Sequence, residues 1–229
     1  MIASIDLSKI ILWIIRIILP ILVFYLAYVL FTRAFSYLGF SKLESIIIVF
    51  VSFLFMFPII VFGFDISNIA LLSYNGWILG INTGGALIPI IISLYLYFKK
   101  KLAAKKVFIG IALVTIVTFF VTTPVPSKGI VSTFPFWLIP GISACITSII
   151  LFRKNFSKGA SLTYISSTLG VLIGADFLHL PELLSYTPGK IGTMATIGGA
   201  VLFDLIFITG ILAVFLYGAI MFKYKSNNY

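Results

Sequence analysis

Charged residues are scarce in this chain. Only 10% of its 229 residues are charged, with 6 acidic side chains against 16 basic ones, whereas 61% are hydrophobic. About a quarter of an ordinary soluble domain is charged, so the composition excludes that class. Apolar runs of about 20 residues recur along the chain, each long enough to cross a bilayer. The sequence therefore predicts a multi-pass protein of the cell membrane, with one transmembrane domain over residues 1–229.

Cysteine is also nearly absent, because Cys145 is the single one. An internal disulfide is therefore impossible, and this thiol says nothing about the compartment. The net charge of +10 does not indicate nucleic-acid binding, since the basic residues flank apolar runs, where they orient a membrane protein. We predict the lipid bilayer as a partner, no nucleic acid and no cofactor, and the oligomeric state stays open.

The apolar runs predict an all-α bundle of seven membrane-spanning helices. Their approximate bounds are 10–31, 45–64, 77–98, 107–123, 134–152, 161–180 and 195–222. Basic residues concentrate in alternate loops and in the C-terminal tail, as in "KKKLAAKK" (99–106), whereas the opposite side holds Lys9, Lys128 and Lys190. The positive-inside rule then places the N-terminus outside and the C-terminus in the cytoplasm.

Three pairs of segments match at nearly one spacing, which indicates an internal duplication. Each pair shares a short pattern: a proline followed by Leu-Phe, a basic residue and Phe-Ser; Gly-x-Asp; and Gly-Gly-Ala. The pairs are 19–36 with 139–157, 61–67 with 172–178, and 83–92 with 197–206. We predict two parallel three-span repeats, about 10–98 and about 134–222, joined by a linker span at about 107–123.

This three-one-three plan is shared by the SWEET-type sugar carriers, an analogy of architecture that does not fix function. Parallel repeats are common in transporters, where the substrate lies at the repeat interface. A duplication kept for packing alone is the alternative.

The unusual polar residues of the predicted spans fall in their outer halves. They are Asp176, Asp204, Arg16, Asn82 and Thr83. Ionisable groups inside a membrane cost about 2.5–3.5 kcal/mol or more each, so they usually face the bundle interior and mark pathways. Glycine pairs lie in the same region and predict close helix approach or local unwinding, so that they could act as hinges: Gly84, Gly85, Gly198 and Gly199.

Three hypotheses compete for Asp176 and Asp204. They could bind a proton or cation coupled to transport, because a carboxylate in a low dielectric can load and release a proton near working pH. They could form an aspartyl dyad that activates water. They could also be structural, with Asp176 paired to Arg16 or capping the start of the last span, and Asp204 bonded to backbone freed by the glycines.

The dyad hypothesis rests on a loose likeness to the intramembrane aspartyl proteases. "GAD" followed by "GGAVLFD" resembles their two aspartate motifs on successive spans. However, Ala175 stands where their first motif has tyrosine, and Phe203 stands where the second has glycine. No later span carries a Pro-Ala-Leu element. A metal site is not predicted, since the spacing of Asp176, His179 and Glu182 fits no recognised zinc pattern.

Three longer stretches resemble the domain-of-unknown-function family numbered 1614, a family of prokaryotic integral membrane proteins. They are "GINTGGALIPIIISLYLYF", "GVLIGADFLHL" and "IGGAVLFDLIFITGILAVFLYG". The resemblance covers about residues 60 to 219 and implies a multi-span membrane protein. It implies no activity. The function favoured by the residues is transport of a small solute or ion at the repeat interface. An intramembrane protease and a non-catalytic assembly or lipid-binding protein stay as alternatives.

Transport predicts that Asp204→Asn abolishes solute uptake while the protein still folds, because the amide cannot exchange a proton. Uptake by proteoliposomes, with monodispersity in detergent as the folding check, measures both. Unchanged uptake would contradict the role given to Asp204.

Overall fold

The computed structural model describes residues 7–55, 57–126, 129–199 and 205–226, and most of them are helical. The α-helices are α1 (Leu7–Leu38), α2 (Lys42–Leu54), α3 (Ile88–Lys99), α4 (Ala104–Val121), α5 (Ile139–Phe152), α6 (Phe156–Val171), α7 (Leu178–Ser185) and α8 (Leu205–Ser226). Two π-helical segments, Thr83–Leu87 and Leu172–Phe177, precede α3 and link α6 to α7, and a 3₁₀ turn, Phe136–Leu138, leads into α5.

The chain is not all-α, which corrects the predicted fold class. Short strands lie between helices: β1 (Ile60–Val61), β2 (Phe64–Asp65), β3 (Asn68–Tyr74), β4 (Trp77–Asn82), β5 (Thr123–Val125), β6 (Gly129–Val131) and β7 (Thr193–Ile197). They form a three-stranded sheet in the order β3-β4-β7 and two separate two-stranded hairpins.

The sequence signals for the strands are turn residues inside apolar runs. Asn75 and Gly76 both have positive φ and join β3 to β4 as a two-residue hairpin. Asn-Gly is the strongest short-range hairpin signal, because both turn positions need φ above zero. The helix predicted at 77–98 therefore begins only after β4. Phe62 and Gly63, also at positive φ, turn β1 into β2 in the same way.

Two other predicted spans are also shorter than expected. The span predicted at 45–64 ends as a helix at Leu54, and its last residues enter the β1–β2 hairpin. The span predicted at 195–222 begins as strand β7, and α8 starts at Leu205. Apolar composition alone does not separate a strand from a buried helix, which is why both predictions overran.

Strand β7 pairs in parallel with β4, and this pairing joins the two halves of the chain. Trp77 lies opposite Thr193, and Ile81 lies opposite Ile197. Parallel strands need a long crossover connection, and here it contains α3 to α7. The ends of β4 and β7 therefore lie side by side, and each leads into a glycine pair.

Helix α6 occupies the centre of the bundle, where it packs against α3, α4, α5 and α8. Twelve of its 16 residues are buried, although the helix is rich in serine and threonine. Their hydroxyls donate to backbone carbonyls one turn earlier, as Thr163 does to Gly159. Small residues allow close helix approach in membranes. Thr168 also shares a hydrogen bond with Ser93 of α3 at 3.2 Å.

The basic ends of several helices gather at one end of the bundle. The Nζ of Lys100 lies 3.1 Å from where a Cβ on Gly39 would be, so the ends of α1 and α3 are neighbours. Lys106 at the start of α4 donates to the carbonyl of Leu151 near the end of α5, at 2.6 Å. The three-stranded sheet lies at the opposite end of α3, because β4 leads into the start of that helix.

A capping box starts α2 at the basic end. The Ser41 hydroxyl accepts from the backbone N–H of Glu44, and the Ser41 backbone N–H donates to the Glu44 carboxylate at 2.6 Å. This backbone hydrogen bond holds the pKa of Glu44 below its usual range.

Among the described residues, three helical segments are long and apolar enough to cross a membrane. They are Leu12–Leu38, Ala104–Val121 and Phe156–Ser185. Shorter apolar helical segments occupy Thr83–Lys99, Phe136–Phe152 and Ile206–Met221. Length and composition are consistent with a membrane protein, and the seven-span, three-one-three topology and its orientation stay predictions.

Trp77 fixes the sheet to the helices, so its replacement tests this packing. Its indole N–H donates to the carbonyl of Tyr186 at 2.7 Å, and its ring is buried. We expect Trp77→Phe to lower the free energy of unfolding by about 1 kcal/mol or more, because the hydrogen bond is lost. Unfolding in detergent measures this. Trp13→Phe is the matched control, since Trp13 is 64% exposed; equal effects of the two variants would contradict the anchoring role.

Candidate functional site

Asp176 lies on the π-helical segment that interrupts the long helix from α6 to α7. Its Oδ2 accepts a hydrogen bond from the backbone N–H of Gly198 at 2.6 Å. Gly198 directly follows strand β7, so this bond ties the interrupted helix to the chain that leads towards α8. π-Helical turns inside α-helices are frequent at functional sites, because the widened turn redirects a side chain. Gly174 lets the segment lie close to α4, where a Cβ would approach the carbonyl of Thr115 to 2.6 Å.

The two Gly-Gly-Ala segments meet beside this bond. A Cβ on Gly198 would lie 2.5 Å from the Cβ and 2.7 Å from the backbone nitrogen of Ala86. Gly198 and Gly199 have φ values of +87° and +65°, a conformation that side chains with a Cβ rarely adopt. Glycine is therefore required at position 198 for two independent reasons. The contact places matching motifs from the two halves of the chain against each other.

Asn82 lies at the end of β4, just before the first glycine pair, and its side chain holds this part of the chain through several hydrogen bonds. Its Oδ1 accepts from the backbone N–H of Gly85 at 2.7 Å and so caps the π-helical segment. Its Nδ2 donates to the Oδ1 of Asn68 at 2.8 Å and to the carbonyl of Phe55. Thr83 donates through its hydroxyl to the carbonyl of Ile66 at 2.6 Å. The polar side chains predicted here are thus held by well-defined hydrogen bonds.

Asp65 extends the Asn82 network, although it is not among the site residues predicted from the sequence. Its Oδ1 accepts from the backbone N–H of Ser67 at 2.9 Å, and its Oδ2 accepts from the Nδ2 of Asn68. The signal in the sequence was Asp65 two residues before Ser67, the spacing of an Asx turn.

The second matched pair of segments adopts two different structures. Asp65 lies at the end of a hairpin strand, whereas Asp176 lies in a π-helical turn. Both carboxylates nevertheless accept backbone N–H groups near a glycine pair or its cap. The duplication stays a prediction, and at this point its two copies differ in backbone conformation.

Among the described residues, no hydrogen bond or ion pair joins Arg16 to this site. Arg16 lies on α1, within a stretch whose side chains are all exposed. Among the described residues it forms no ion pair with Asp176. Of the two structural alternatives for Asp176, the geometry agrees with capping of the segment before α8 and disagrees with pairing to Arg16.

Asp204 lies outside the described residues. The distance between the Asp176 and Asp204 carboxyls, which decides whether they can form a dyad, is therefore not described.

The His179 side chain contacts Phe119 and Glu182. Its ring stacks on Phe119 with centroids 4.5 Å apart, and its Nε2 lies 3.2 Å from the carbonyl of Phe119. Its Nδ1 lies 3.9 Å from the carboxylate of Glu182. Within the described ranges, no three His, Cys, Asp or Glu side chains converge in a way that could hold a metal ion.

The family model described as protein of unknown function DUF1614 matches residues 57–216. The chain belongs to this family. The match covers the three-stranded sheet, both π-helical segments and the first half of α8, so it includes Asn82, Asp176 and both glycine pairs but not Arg16. No curated protein and no solved structure matches the chain.

Gly198→Ala tests the contact between the two motifs. Left-handed backbone costs an alanine roughly 1–2 kcal/mol, and the added Cβ would also collide with Ala86. Gly192→Ala is the matched control, because Gly192 has φ +86° but no atom within 4 Å of an added Cβ. We expect the midpoint of thermal unfolding to fall clearly further for Gly198→Ala. Equal shifts would show that the close contact does not contribute.

Proposed function

We propose that this chain is a membrane transporter for a small solute or ion, coupled to a proton or a small cation that Asp176 binds. The hydrogen bond from Gly198 to Asp176 carries this proposal. It places an ionisable side chain at an interrupted helix, at the point where the two halves of the chain meet. Transporters commonly bind substrates and coupling ions at discontinuous helices near the interface of two repeats.

The free energy that it costs to place a carboxylic acid within a membrane bundle supports a function for Asp176 beyond capping. A carboxylic acid within a membrane bundle is expensive, and one backbone N–H could equally be capped by a neutral side chain. Asparagine performs that capping at position 82, where Oδ1 accepts from Gly85. An aspartate at position 176 adds the ability to exchange a proton or bind a cation, which the cap alone does not require.

The same bond supplies a coupling mechanism. Hydrogen bonds to an ionised carboxylate are roughly twice as strong as those between neutral groups. Ionised Asp176 therefore holds Gly198 against the π-helical segment, and a proton or cation on the carboxylate weakens that bond. The backbone at Gly198 and Gly199 is then no longer held against the π-helical segment. The coupling ion thus binds the released state better, as any population shift requires.

The remaining predicted residues have supporting roles in this proposal. Asn82 and Thr83 hold the first glycine pair in place and offer polar groups beside the meeting point of the halves. Asp204 follows the second glycine pair along the chain and is proposed as a second ligand or coupling group. The site lies in the outer half of the membrane, with the N-terminus outside and the C-terminus in the cytoplasm.

A labelling experiment tests the coupling bond without knowledge of the solute. Thr196 lies on β7 two residues before Gly198 and is half-buried, and the native Cys145 is buried. We expect a cysteine in Thr196→Cys to react faster with an external maleimide as the pH is lowered, because protonated Asp176 releases Gly198. Adding Asp176→Asn should remove this pH dependence and leave the rate high.

Glu44→Gln is the matched control, since the Glu44 carboxylate also accepts a backbone N–H, from Ser41, but lies at the basic end of α2 and has no role in the proposed site. Rates are corrected for the pH dependence of maleimide with a free thiol. A profile unaltered by Asp176→Asn would contradict the mechanism. In proteoliposomes, solute uptake driven by a pH gradient, measured for a panel of sugars, amino acids and organic acids, should be lost with Asp176→Asn and kept with Glu44→Gln.

A further inference from the structure

The β1–β2 hairpin carries large apolar side chains that the rest of the chain does not cover. Ile60, Phe62 and Phe64 are 71%, 97% and 76% exposed. Exposed apolar patches that are not scattered singly mark surfaces that bind a partner or a membrane. The proposed transport site does not use these side chains, so their exposure needs an explanation of its own.

The backbone at the tip of this hairpin disfavours the phenylalanine that occupies it. Phe62 and Gly63 have φ values of +49° and +83°, whereas Asn75 and Gly76, at the turn between β3 and β4, have +48° and +80°. Asparagine is the preferred first residue of such a turn, since positive φ is unfavourable for a bulky side chain. Strained backbone that persists indicates a use for the side chain, and almost none of the Phe62 side chain is covered by its own chain.

Two helical segments give the distance of the hairpin from the basic end of the bundle. α2 has 13 residues and begins at that end with Lys42, so it rises roughly 20 Å before the chain enters the hairpin. The helical segment from Thr83 to Lys99 returns to the basic end and is roughly 25 Å long. Its far end holds the base of the hairpin, because the Thr83 hydroxyl donates to the carbonyl of Ile66 at 2.6 Å.

These lengths place the hairpin within the thickness of a bilayer. The hydrocarbon core is roughly 30 Å thick. The backbone N–H of Ile66 donates to the carbonyl of Ile59 at the base, and the chain from Ile59 to Phe62 reaches at most about 10 Å. Whichever way the hairpin points, the Phe62 ring therefore lies in hydrocarbon or at its far boundary. The boundary fits better, since unpaired backbone groups are costly in hydrocarbon.

The charge around the hairpin favours lipid over a protein partner. From Ser45 to Phe98 the sequence contains one charged residue, Asp65. Its carboxylate accepts hydrogen bonds from Ser67 and Asn68, so it is engaged within the chain. Protein interfaces have a polar rim around an apolar centre, and the hairpin offers no free charge for one. Acyl chains require none.

We propose that the β1–β2 hairpin is a lipid anchor whose tip, Phe62 with Ile60 and Phe64, inserts among phospholipid acyl chains at the membrane boundary remote from the basic loops. Lipid contact removes the Phe62 ring from water and so offsets its unfavourable backbone conformation. The hydrogen bond between Thr83 and Ile66 connects this anchor to the segment that holds the first glycine pair.

Spin labels on the full chain in liposomes of phosphatidylethanolamine and phosphatidylglycerol test the anchor. Phe62→Cys and Phe64→Cys supply the label sites, and the native Cys145 is buried. EPR power saturation should show several-fold more collision of these labels with oxygen, which concentrates in lipid, than with a water-soluble nickel complex. Ile47→Cys, at a 51% exposed position on α2, is the lipid reference. Lys190→Cys, at an exposed charged position, is the water reference.

Phe62→Asn separates the lipid contact from the turn. Asparagine tolerates positive φ, so this variant should unfold at the same temperature as wild type or higher. The label at Phe64→Cys should nevertheless shift towards the water reference when Phe62→Asn is added, because the ring that inserts deepest is lost.

Three results would overturn the proposal. Collision mainly with nickel at both hairpin positions, as at Lys190→Cys, would show that the hairpin lies in water. Labels protected from both reagents would show that protein, such as a second copy of this chain, covers it. A Phe64→Cys label unaltered by Phe62→Asn would show that Phe62 does not hold the hairpin in lipid.

Discussion

The parallel pairing of β4 with β7 is the constraint on which the rest of the site depends. These two strands are far apart in sequence, and their pairing brings the glycine segments of the two halves into contact. Once Gly198 lies against Ala86, its backbone N–H faces the interrupted helix and reaches Asp176. Slippage of a parallel register by one residue would turn every side chain of β7 to the other face and would move Gly198 away from both partners.

The hydrogen-bonding needs of the backbone explain why strands are present in so apolar a chain. Exposed backbone polar groups are costly in hydrocarbon, so each segment must pair internally or lie at a polar boundary. β4 meets this need by pairing on both edges, with β3 on one side and β7 on the other. Asn82 and Asp176 then satisfy N–H groups where regular pairing stops. The polar side chains predicted as a ligand site thus also satisfy backbone N–H groups. The proposed coupling gives a second function to Asp176 alone.

Short turn motifs determined the backbone conformation at places where the apolar composition alone predicts membrane-spanning helices. The Asn75-Gly76 pair and the Asp65-Ser67 spacing are visible in the sequence. Both predict turns, which a search for membrane spans does not detect. The distance between Asp176 and Asp204 could not be read in this way. It depends on the position of Asp204, and residues 200–204 lie outside the described part of the chain.

The sequence by itself determined the apolar, multi-helical character of the chain and its family, and it predicted Asp176, Asn82 and the glycine pairs as candidate site residues. Composition and short motifs suffice for these, because membrane helices and tight glycine turns have strong local requirements. Only the tertiary structure decided that Asp176 binds Gly198 rather than Arg16, that β4 and β7 pair, and that Gly198 lies against Ala86. Each of these depends on contacts between residues remote in sequence, which no local pattern encodes.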